Sequence, residues 1–446
     1  MINVYTAELT PRITYTFQLV FETLLNDKVL FFQNSEEFQK TEGMKINYSN
    51  RPELEGIYVK PHGLLHESHL QVQHPSIIDW DGEKAFFAVD NSFLPFDLFA
   101  AIFFLVSRYE EYLPGKRDSH QRYRARESFA AQNSFLEKPL VNIWVLKFAH
   151  LIELHFAGYR FKRSTFNYLP TIDIDNAWAF KNKGFFRFSA SLFKDILHRR
   201  WNLLKKRIAV VYRFEKDPYD NYDFMQKTFD EYHFRPIYFF LLNKKGKNDR
   251  SLSYRNLYYR NLILKLGEKS KIGIHPSYAS NTSNKQLAEE IRRLMVITGK
   301  PVTRSRQHFL KMNMPTTYRN LIEQGITSDY SMSFPSRPGF RASIATSYYF
   351  FDVLKNEATK LSIHPFQVMD VTLLHYRGMS VADAKRKIEQ LMRETAKVEG
   401  TFISLWHNES LSDAGIWKGW RNVYSEMTRL AAELINEDKT FTQQGH

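Results

Sequence analysis

From residue 217 onward, short apolar runs alternate with longer segments in which apolar residues recur every three or four positions. The short runs lie at 237–242, 271–274, 302–306 and 401–406, and the longer segments at 223–233, 284–298, 315–324, 381–398 and 417–434. Short apolar runs predict strands, and the three-to-four spacing predicts amphipathic helices. Strands that alternate with helices in this way predict an α/β fold with parallel strands.

The first 160 residues show a less regular mixture of elements. Helices are predicted at 11–25, 95–112 and 140–156, and strands at 29–32, 56–59 and 85–89. A polar stretch over 116–133 predicts a long surface loop, and residues 158–166 predict a linker. Since 446 residues exceed one ordinary core, we predict two domains. They are a smaller mixed α/β domain over 1–160 and a larger domain over 165–440.

Composition narrows the kinds of site that the chain can build. Hydrophobic residues make up 43% and charged residues 25%, which is typical of a soluble globular protein. The sequence has no cysteine, so a metal would need His, Asp or Glu ligands, which suit zinc and other divalent ions. No signal peptide is recognisable, and the longest apolar run, 98–106, is far shorter than the ~20 residues of a membrane span. We therefore expect a cytoplasmic protein.

The net charge of +14 favours anionic surroundings. The strongest basic tract runs over 185–207, where apolar and basic residues alternate at roughly helical spacing. Two interpretations stay open: an amphipathic helix that lies on an anionic membrane surface, or a helix packed on the protein with its basic side chains in water. Elsewhere the basic residues are scattered and no nucleic-acid-binding module is recognisable, so nucleic acid is not an expected partner.

Two carboxylates, Asp173 and Asp175, follow an apolar entry at 168–170. Residues i and i+2 of a strand point to the same face, so both would project together from a strand end. Their like charges would repel and shift each other's pKa, which a cation or a proton relieves. The other interpretation is a turn, because Asp and Asn side chains favour Asx turns.

Further ionisable residues stand at the ends of other predicted strands. They are His275, Arg306, His308, Asp370 and His407. Active sites of parallel α/β proteins form at the carboxyl ends of their strands. The set therefore predicts a functional site at that edge of the sheet.

Four short motifs, in this order, resemble those of the polysaccharide deacetylases, the NodB-homology proteins of carbohydrate esterase family four. They are Thr-Ile-Asp-Ile-Asp at 171–175, Gly-Ile-His-Pro-Ser at 273–277, Ser-Arg-Gln-His at 305–308 and Leu-Trp-His at 405–407. The resemblance covers about residues 168–435, and the chain also resembles the subgroup with an extra N-terminal domain. It implies a distorted (β/α) barrel and a divalent metal, most often zinc.

The resemblance also implies catalytic roles for single residues. Asp173 matches the family's general base, and Arg306 matches the arginine that orients this base. His407 matches the general acid. Ile174 separates two carboxylates that are usually adjacent in the family, which makes the role of Asp173 less firmly implied than that of Asp175.

For the metal, Asp175 matches the aspartate ligand and His275 the first histidine ligand. The family's second histidine would fall at Ala279, so this ligand is missing. His308, at the neighbouring predicted strand end, is the predicted replacement. Two ligands alone would make a weak zinc site.

The implied reaction is the hydrolysis of an acetyl group from an N-acetylated or O-acetylated sugar, on a polysaccharide or glycan precursor. Trp406 would wall the acetyl pocket, and Asp370 would bind substrate or orient a neighbour. Arg341 would hold a substrate carboxylate or phosphate, or form a buried ion pair. The alternative function is a catalytically inactive deacetylase-like protein that binds glycan at a membrane surface.

Overall fold

The computed structural model describes residues 1–156, 158–243, 246, 248–249 and 251–444. The strands are β1 (Ile2–Tyr5), β2 (Val29–Phe32), β3 (Met44–Asn47), β4 (Ile57–Tyr58), β5 (Ile78–Trp80), β6 (Glu83–Ala85), β7 (Asn167–Ile174), β8 (Ile237–Phe240), β9 (Lys271–Ile274), β10 (Arg304–Ser305), β11 (Ser328–Asp329), β12 (Tyr348–Asp352), β13 (Glu357–Ile363), β14 (Val368–Met369) and β15 (Thr401–His407).

The α-helices are α1 (Pro11–Gln18), α2 (Ser35–Lys40), α3 (Leu98–Val106), α4 (Phe129–Gln132), α5 (Leu140–His155), α6 (Phe185–Leu197), α7 (Trp201–Val211), α8 (Tyr222–Glu231), α9 (Leu257–Lys269), α10 (Asn284–Thr298), α11 (Thr316–Glu323), α12 (Val381–Ala396) and α13 (Trp420–Gln444). Short π-helical or 3₁₀ turns extend or separate several of them, as at Leu19–Leu24 after α1.

Two sheets carry the fold. The first has the order β2-β1-β3-β4, and the second, with nine strands, has the order β12-β13-β11-β10-β9-β8-β7-β15-β14. Every neighbouring pair in these two sheets is parallel except β12–β13. Parallel neighbours need crossover connections, which the helices between the strands supply. The predicted α/β alternation is therefore confirmed.

The closed barrel that the motifs implied is not observed. Among the described residues no sheet closes: β12 and β14 lie at opposite ends of the nine-stranded sheet and pair on one side only. The antiparallel strand β12 ends the parallel series at one edge, and the two-residue β14 ends it at the other. The larger sheet is open.

Local sequence signals explain where several helices begin and end. Ser283 caps α10 by accepting a hydrogen bond from the backbone of Gln286, and Ser380 caps α12 in the same way through Asp383. α10 ends at Gly299, whose φ of +66° is a conformation that glycine adopts readily. The bounds predicted for β2, β9 and α10 are confirmed.

One strand prediction is wrong. The apolar run 85–89 predicted a strand, but β6 ends at Ala85. Phe87 has a φ of +65°, which breaks the extended backbone after a single residue. Phe86 and Phe87 of this run instead pack in the core against Phe104.

The long apolar run 98–106 forms the buried helix α3. All nine residues of α3 are buried, and their neighbours include aromatic side chains of α1 and α5. A helix that is apolar all round is a core helix when it is this short. In the part of the chain that the structure describes, no helix is both long and apolar enough to span a bilayer. The division into domains near residue 160 stays a prediction.

Candidate active site

The candidate site lies at the carboxyl ends of six neighbouring strands, β10, β9, β8, β7, β15 and β14. In parallel sheets these ends meet at one edge, so residues far apart in sequence can converge there. Each of the six strands is followed by, or ends in, an ionisable residue of the site. They are His308, His275, Asp249, Asp175, His407 and Asp370 in the order of the strands.

β7 presents the two carboxylates of the first motif. Asp173 is a strand residue that is 1% exposed, and Asp175 follows the last strand residue. In the register of the sheet Asp173 lies opposite His407 of β15. Burial alone would raise the pKa of Asp175, but His308 and His275 lower it well below its usual range. Asp175 is therefore a carboxylate at neutral pH.

The tautomer of His275 follows from its hydrogen bond. Its Nδ1 lies 2.6 Å from the carbonyl oxygen of Arg306, and a carbonyl can only accept. Nδ1 therefore carries the proton, and in the neutral ring Nε2 offers a lone pair. Nε2 is 3.3 Å from Oδ1 of Asp175 and 3.7 Å from Oδ2 of Asp173. A buried lone pair facing two carboxylates needs a positive charge between them.

His308 is held in the same manner by an aspartate that the sequence analysis missed. Its Nδ1 lies 2.9 Å from Oδ1 of Asp249, and its Nε2 lies 3.5 Å from Oδ2 of Asp175. Burial alone would lower the pKa of His308, but Asp175 and Asp249 raise it to about 9. The two carboxylates thus favour positive charge at this position.

His407 forms a second pair with an aspartate. Asp370 accepts hydrogen bonds from Nδ1 of His407 through Oδ1 and from its backbone N–H through Oδ2, each at 2.8 Å. Burial would lower the pKa of His407, but Asp370, Asp175 and Asp173 raise it to about 10. The imidazole is therefore positively charged at neutral pH. Its Nε2 lies 3.9 Å from Oδ2 of Asp175.

Arg306 is fully buried between the rings of Phe239 and Phe366, with its guanidinium carbon 4.9 Å from each ring centre. Its Nη2 donates to Oγ1 of Thr171 at 2.7 Å, and its Nη1 lies 3.6 Å from Oδ1 of Asp173. Gly273 makes room for this stack, because a Cβ there would come within 2.5 Å of the Phe239 ring. The stack fixes a positive charge beside Asp173.

The donor set fits a divalent cation. One oxygen of Asp175 and one nitrogen each of His275 and His308 lie within 4.8 Å of one another. Nε2 of His275 lies 3.3 Å from Oδ1 of Asp175, and Nε2 of His308 lies 3.5 Å from Oδ2 of the same carboxylate, so both imidazoles face this carboxylate through the atom that can bind a metal. Among the described residues, Oδ1 of Asp175 and Nε2 of His275 are buried without a hydrogen-bond partner. A cation would satisfy both.

Two predicted site residues lie outside the site. Trp406 precedes His407 in β15 and therefore points to the opposite face, where it is fully buried against Trp420 and Tyr424. Arg341 is occupied by Glu111, donating from Nε to Oε1 at 2.9 Å and from Nη2 to Oε2 at 2.5 Å. Trp406 thus cannot wall the pocket, and Arg341 forms the buried ion pair rather than a substrate clamp.

The cavity over the site is small, about 140 Å³. Apolar side chains form part of its wall: Leu310, Pro335, Met369, Val371 and Leu405. Arg122 and Tyr376 also line it, although the sequence analysis did not select either. Arg122 donates to the carbonyl of Phe309 at 2.6 Å and to the Tyr376 hydroxyl at 3.1 Å. The predicted surface loop 116–133 therefore contributes to the mouth of the site.

A larger cavity, about 570 Å³, lies elsewhere, beside α5 and β7. Its lining is mostly neutral, with Thr23, Asn142 and Thr346 among it. It lacks the convergence of ionisable groups seen at the strand ends, which is the feature that marks a catalytic site. The smaller cavity is therefore the candidate active site.

Asp249 carries only a weak signal in the sequence, because it lies well beyond the end of the predicted strand 237–242, whereas Asp175 and His275 follow their strands directly. Arg122 carries no such signal, since it lies in a polar loop among other charged residues.

Comparison with known proteins gives limited overlap. A family model described as a family of unknown function (DUF7033) matches residues 2–157. No curated protein matches the sequence.

Several solved structures are similar over about three fifths of the chain, at low sequence identity. A proposed polysaccharide deacetylase from Mycobacterium smegmatis is 12% identical, with a TM-score of 0.40 over 63% of this chain and 92% of its own. A polysaccharide deacetylase from Bacillus cereus is 12% identical, with a TM-score of 0.26 over 58% and 88%. A CE4 family pseudoenzyme from Bacillus anthracis is 11% identical, with a TM-score of 0.28 over 59% and 61%. Because all three TM-scores are below 0.5, the case for a function depends on the side chains themselves.

Proposed function

We propose that this protein is a metal-dependent hydrolase that removes acetyl groups from N-acetylated or O-acetylated sugars of a polysaccharide or glycan precursor. The observation that carries the proposal is the convergence of Asp175, His275 and His308, with Asp173 3.7 Å from His275 and His407 3.9 Å from Asp175. A cation-binding trio flanked by a carboxylate and a protonated imidazole has the groups that acyl hydrolysis needs.

Asp175, His275 and His308 would hold the ion, which the donor types suggest is zinc. When bound, a divalent cation supplies a Lewis acid that polarises an acyl oxygen and makes water more acidic. Asp249 and the carbonyl of Arg306 keep both imidazoles in the tautomer that leaves Nε2 available.

The remaining residues would move protons. Asp173, held beside the Arg306 guanidinium, accepts a proton from the attacking water at a carboxylate oxygen. His407 gives the proton on Nε2 to the departing nitrogen or oxygen of the sugar, while Asp370 stabilises the imidazolium from Nδ1. Proton transfer of this kind contributes about 10²–10⁴-fold to a rate.

The size of the cavity suggests which part of the substrate enters. About 140 Å³ is below the ~300 Å³ of ordinary ligand pockets, so it suits an acyl group better than a whole sugar. The apolar wall formed by Leu310, Met369 and Leu405 would contact the acetyl methyl group. The sugar itself would lie at the mouth, near Arg122 and Tyr376.

Acetate release tests the catalytic part of the proposal. The purified protein, loaded with zinc, is expected to release acetate from N-acetylated glucosamine oligomers or O-acetylated xylan fragments. Asp173→Asn and His407→Ala should each lower the rate by about 10²–10⁴-fold. His74→Ala, which removes an exposed histidine, is the matched control. Metal-loaded protein that releases no acetate from either class of substrate would contradict the proposal.

Metal analysis tests the cation site separately. Elemental analysis of wild-type protein should find close to one divalent ion per chain, and His275→Ala with His308→Ala should abolish it. Equal metal content in the wild type and the double variant would rule out this site.

One observation favours a second candidate, an inactive glycan-binding protein. The position at which related sequences carry the second metal histidine is here Ala279, which is exposed and has no ligand atom. If that is the function, calorimetry should detect acetylated oligomers binding equally to wild type and Asp173→Asn, with no acetate released by either.

A further inference from the structure

The connection from β7 to β8 contains a pair of helices, α6 and α7, that leaves the body of the protein and returns at one point. Asp217 closes this point: its carboxylate accepts hydrogen bonds from the backbone N–H groups of Ala179, Phe180 and Lys181 at 2.8, 2.8 and 3.0 Å. Because β7 also presents Asp175 at its carboxyl end, the hairpin leaves the edge of the sheet that carries the candidate site.

The hairpin exposes large apolar side chains that a soluble surface ordinarily covers. Phe193 is 69% exposed, Leu197 67%, Trp201 53% and Phe214 81%. Ile196, Ile208 and Tyr212 are also exposed in the same stretch. Single exposed apolar residues are normal, but a cluster of this size marks an interaction surface.

Basic residues are interspersed with these apolar residues along the hairpin. Residues 193–214 contain seven Lys and Arg and one Asp, which gives a net charge of +6. The single acid, Asp195, is buried and binds Arg207 at 2.8 Å, which ties α6 to α7. Among the described residues, Arg199, Arg200 and Lys205 form no ion pair with an acidic side chain. Their charge is therefore available to a partner.

We propose that the α6–α7 hairpin docks on an anionic lipid bilayer. Aromatic and aliphatic side chains such as Phe193, Leu197 and Trp201 would enter the boundary between headgroups and acyl chains. The lysines and arginines would reach the lipid phosphates, as in interfacial amphipathic helices. The docking inference does not require the hydrolase proposed above.

The charge argues against two other occupants. A second copy of this hairpin would bring +6 against +6, which opposes association. Nucleic acid would use the positive charge but not the exposed aliphatic residues Ile196 and Leu197, which have no stacking face. An anionic bilayer satisfies both the apolar and the basic components at once.

Vesicle flotation with the full chain tests the inference. The wild type should float with vesicles of phosphatidylcholine and phosphatidylglycerol, but not with phosphatidylcholine alone, and binding should weaken as salt rises. Phe193→Ser with Trp201→Ser should weaken binding at least tenfold, and so should Lys205→Glu with Lys206→Glu. All four positions lie on the surface or only partly buried, so the variants should keep the circular dichroism spectrum of the wild type.

Matched controls change the same residue types elsewhere. Leu154→Ser with Ile416→Ser removes two exposed apolar side chains, and Lys285→Glu with Lys300→Glu reverses two exposed charges; both should bind vesicles as the wild type does. The inference is overturned if the wild type does not float with anionic vesicles, or if hairpin and control variants lose binding equally. A dimer that Phe193→Ser with Trp201→Ser dissociates, without vesicle binding by the wild type, would assign the surface to a second copy and also overturn it.

Discussion

Two buried clusters of charged side chains in this protein look alike in composition but differ in how their polar atoms are satisfied. The Glu111 cluster consists of Glu111, Arg108 and Arg341, and the Asp175 cluster consists of Asp173, Asp175, His275 and His308. In the first, Oε1 of Glu111 accepts from both arginines at 2.8 and 2.9 Å, and Oε2 accepts from Arg341 at 2.5 Å. In the second, Oδ1 of Asp173, Oδ1 of Asp175 and Nε2 of His275 have no hydrogen-bond partner among the described residues.

The difference separates a structural role from a functional one. Buried polar groups are nearly always bonded, so a satisfied cluster needs nothing more, while several unpartnered atoms that face one point call for a ligand. Arg108 Nη1 is the one exception in the Glu111 cluster within the described part of the chain. The Glu111 cluster also joins the first part of the chain to the second, because Arg341 lies 230 positions from Glu111.

The largest effect is expected from breaking the satisfied cluster. Glu111→Gln leaves the buried Arg341 without its counter-charge and leaves Arg108 with Glu110 alone, so the free energy of unfolding should fall by about 3–5 kcal/mol. Urea denaturation followed by circular dichroism measures it. Glu137→Gln, which removes a half-exposed partner of Lys387, is the control and should change stability by less than about 1 kcal/mol. A comparable small change in both variants would show that Glu111 is not a structural anchor.

The same cluster should make stability depend on pH. Burial would raise the pKa of Glu111, but Arg341 and Arg108 lower it to about 2. A carboxyl with a lowered folded-state pKa stabilises the fold fully above its unfolded-state pKa, about 4.3, and this contribution is lost as pH falls toward 2. The loss is of the order of 3 kcal/mol. Denaturation midpoints at a series of pH values should therefore fall more steeply below pH ~4.3 in the wild type than in Glu111→Gln; parallel curves would refute this.

Beside the Asp175 cluster, Asp249 contacts His308 and should affect metal affinity without changing the fold. Asp249→Ala removes the acceptor that fixes the Nδ1 proton of His308, so zinc affinity should fall about 10–100-fold. Asp249→Asn keeps an acceptor oxygen but loses the charge, so its zinc affinity should lie between those of the wild type and Asp249→Ala. Competition with a chromogenic chelator measures the affinities, with the exposed Asp223→Ala as the control. Unchanged affinity in Asp249→Ala would show that Asp249 does not orient His308 for metal binding.

The smallest effect is expected where the first part of the chain touches the site. Arg122→Lys loses the paired bonds to Phe309 and Tyr376, which costs about 0.5–1.5 kcal/mol per bond. Phe309 follows His308 and has a φ of +60°, so loosening it should weaken zinc binding a few-fold. Thermal denaturation and chelator competition check this against the exposed Arg126→Lys. Loss of stability with unchanged zinc affinity would mean that Arg122 supports the fold only.

The prediction for Trp406 conflicts with the alternation of side chains along a strand, which the sequence already shows. Trp406 and His407 are neighbours in a predicted strand, and neighbours in a strand point to opposite faces. Once His407 is placed at the site, the sequence already excludes Trp406 from the same pocket. The structure adds only its packing partners, Trp420 and Tyr424.

Arg341 and Asp249 show what lies beyond the sequence. Arg341 had two open roles, and the choice depended on Glu111, which is remote in the chain and belongs to a different predicted domain. Asp249 binds His308 across 59 positions and from a different strand end. Nothing in the spacing of residues reports such pairs, because they depend on how the strands are ordered in the sheet.

The sequence by itself determined the alternation of strands and helices, the shared face of Asp173 and Asp175, and the placement of ionisable residues at strand ends. These features follow from the periods of the strand and the helix, which act over a few residues. Only the tertiary structure decided that the larger sheet stays open, that Arg341 is neutralised by Glu111, and that Asp249 binds His308. Such contacts depend on which strands become neighbours, and this is a property of the whole packed chain rather than of any segment.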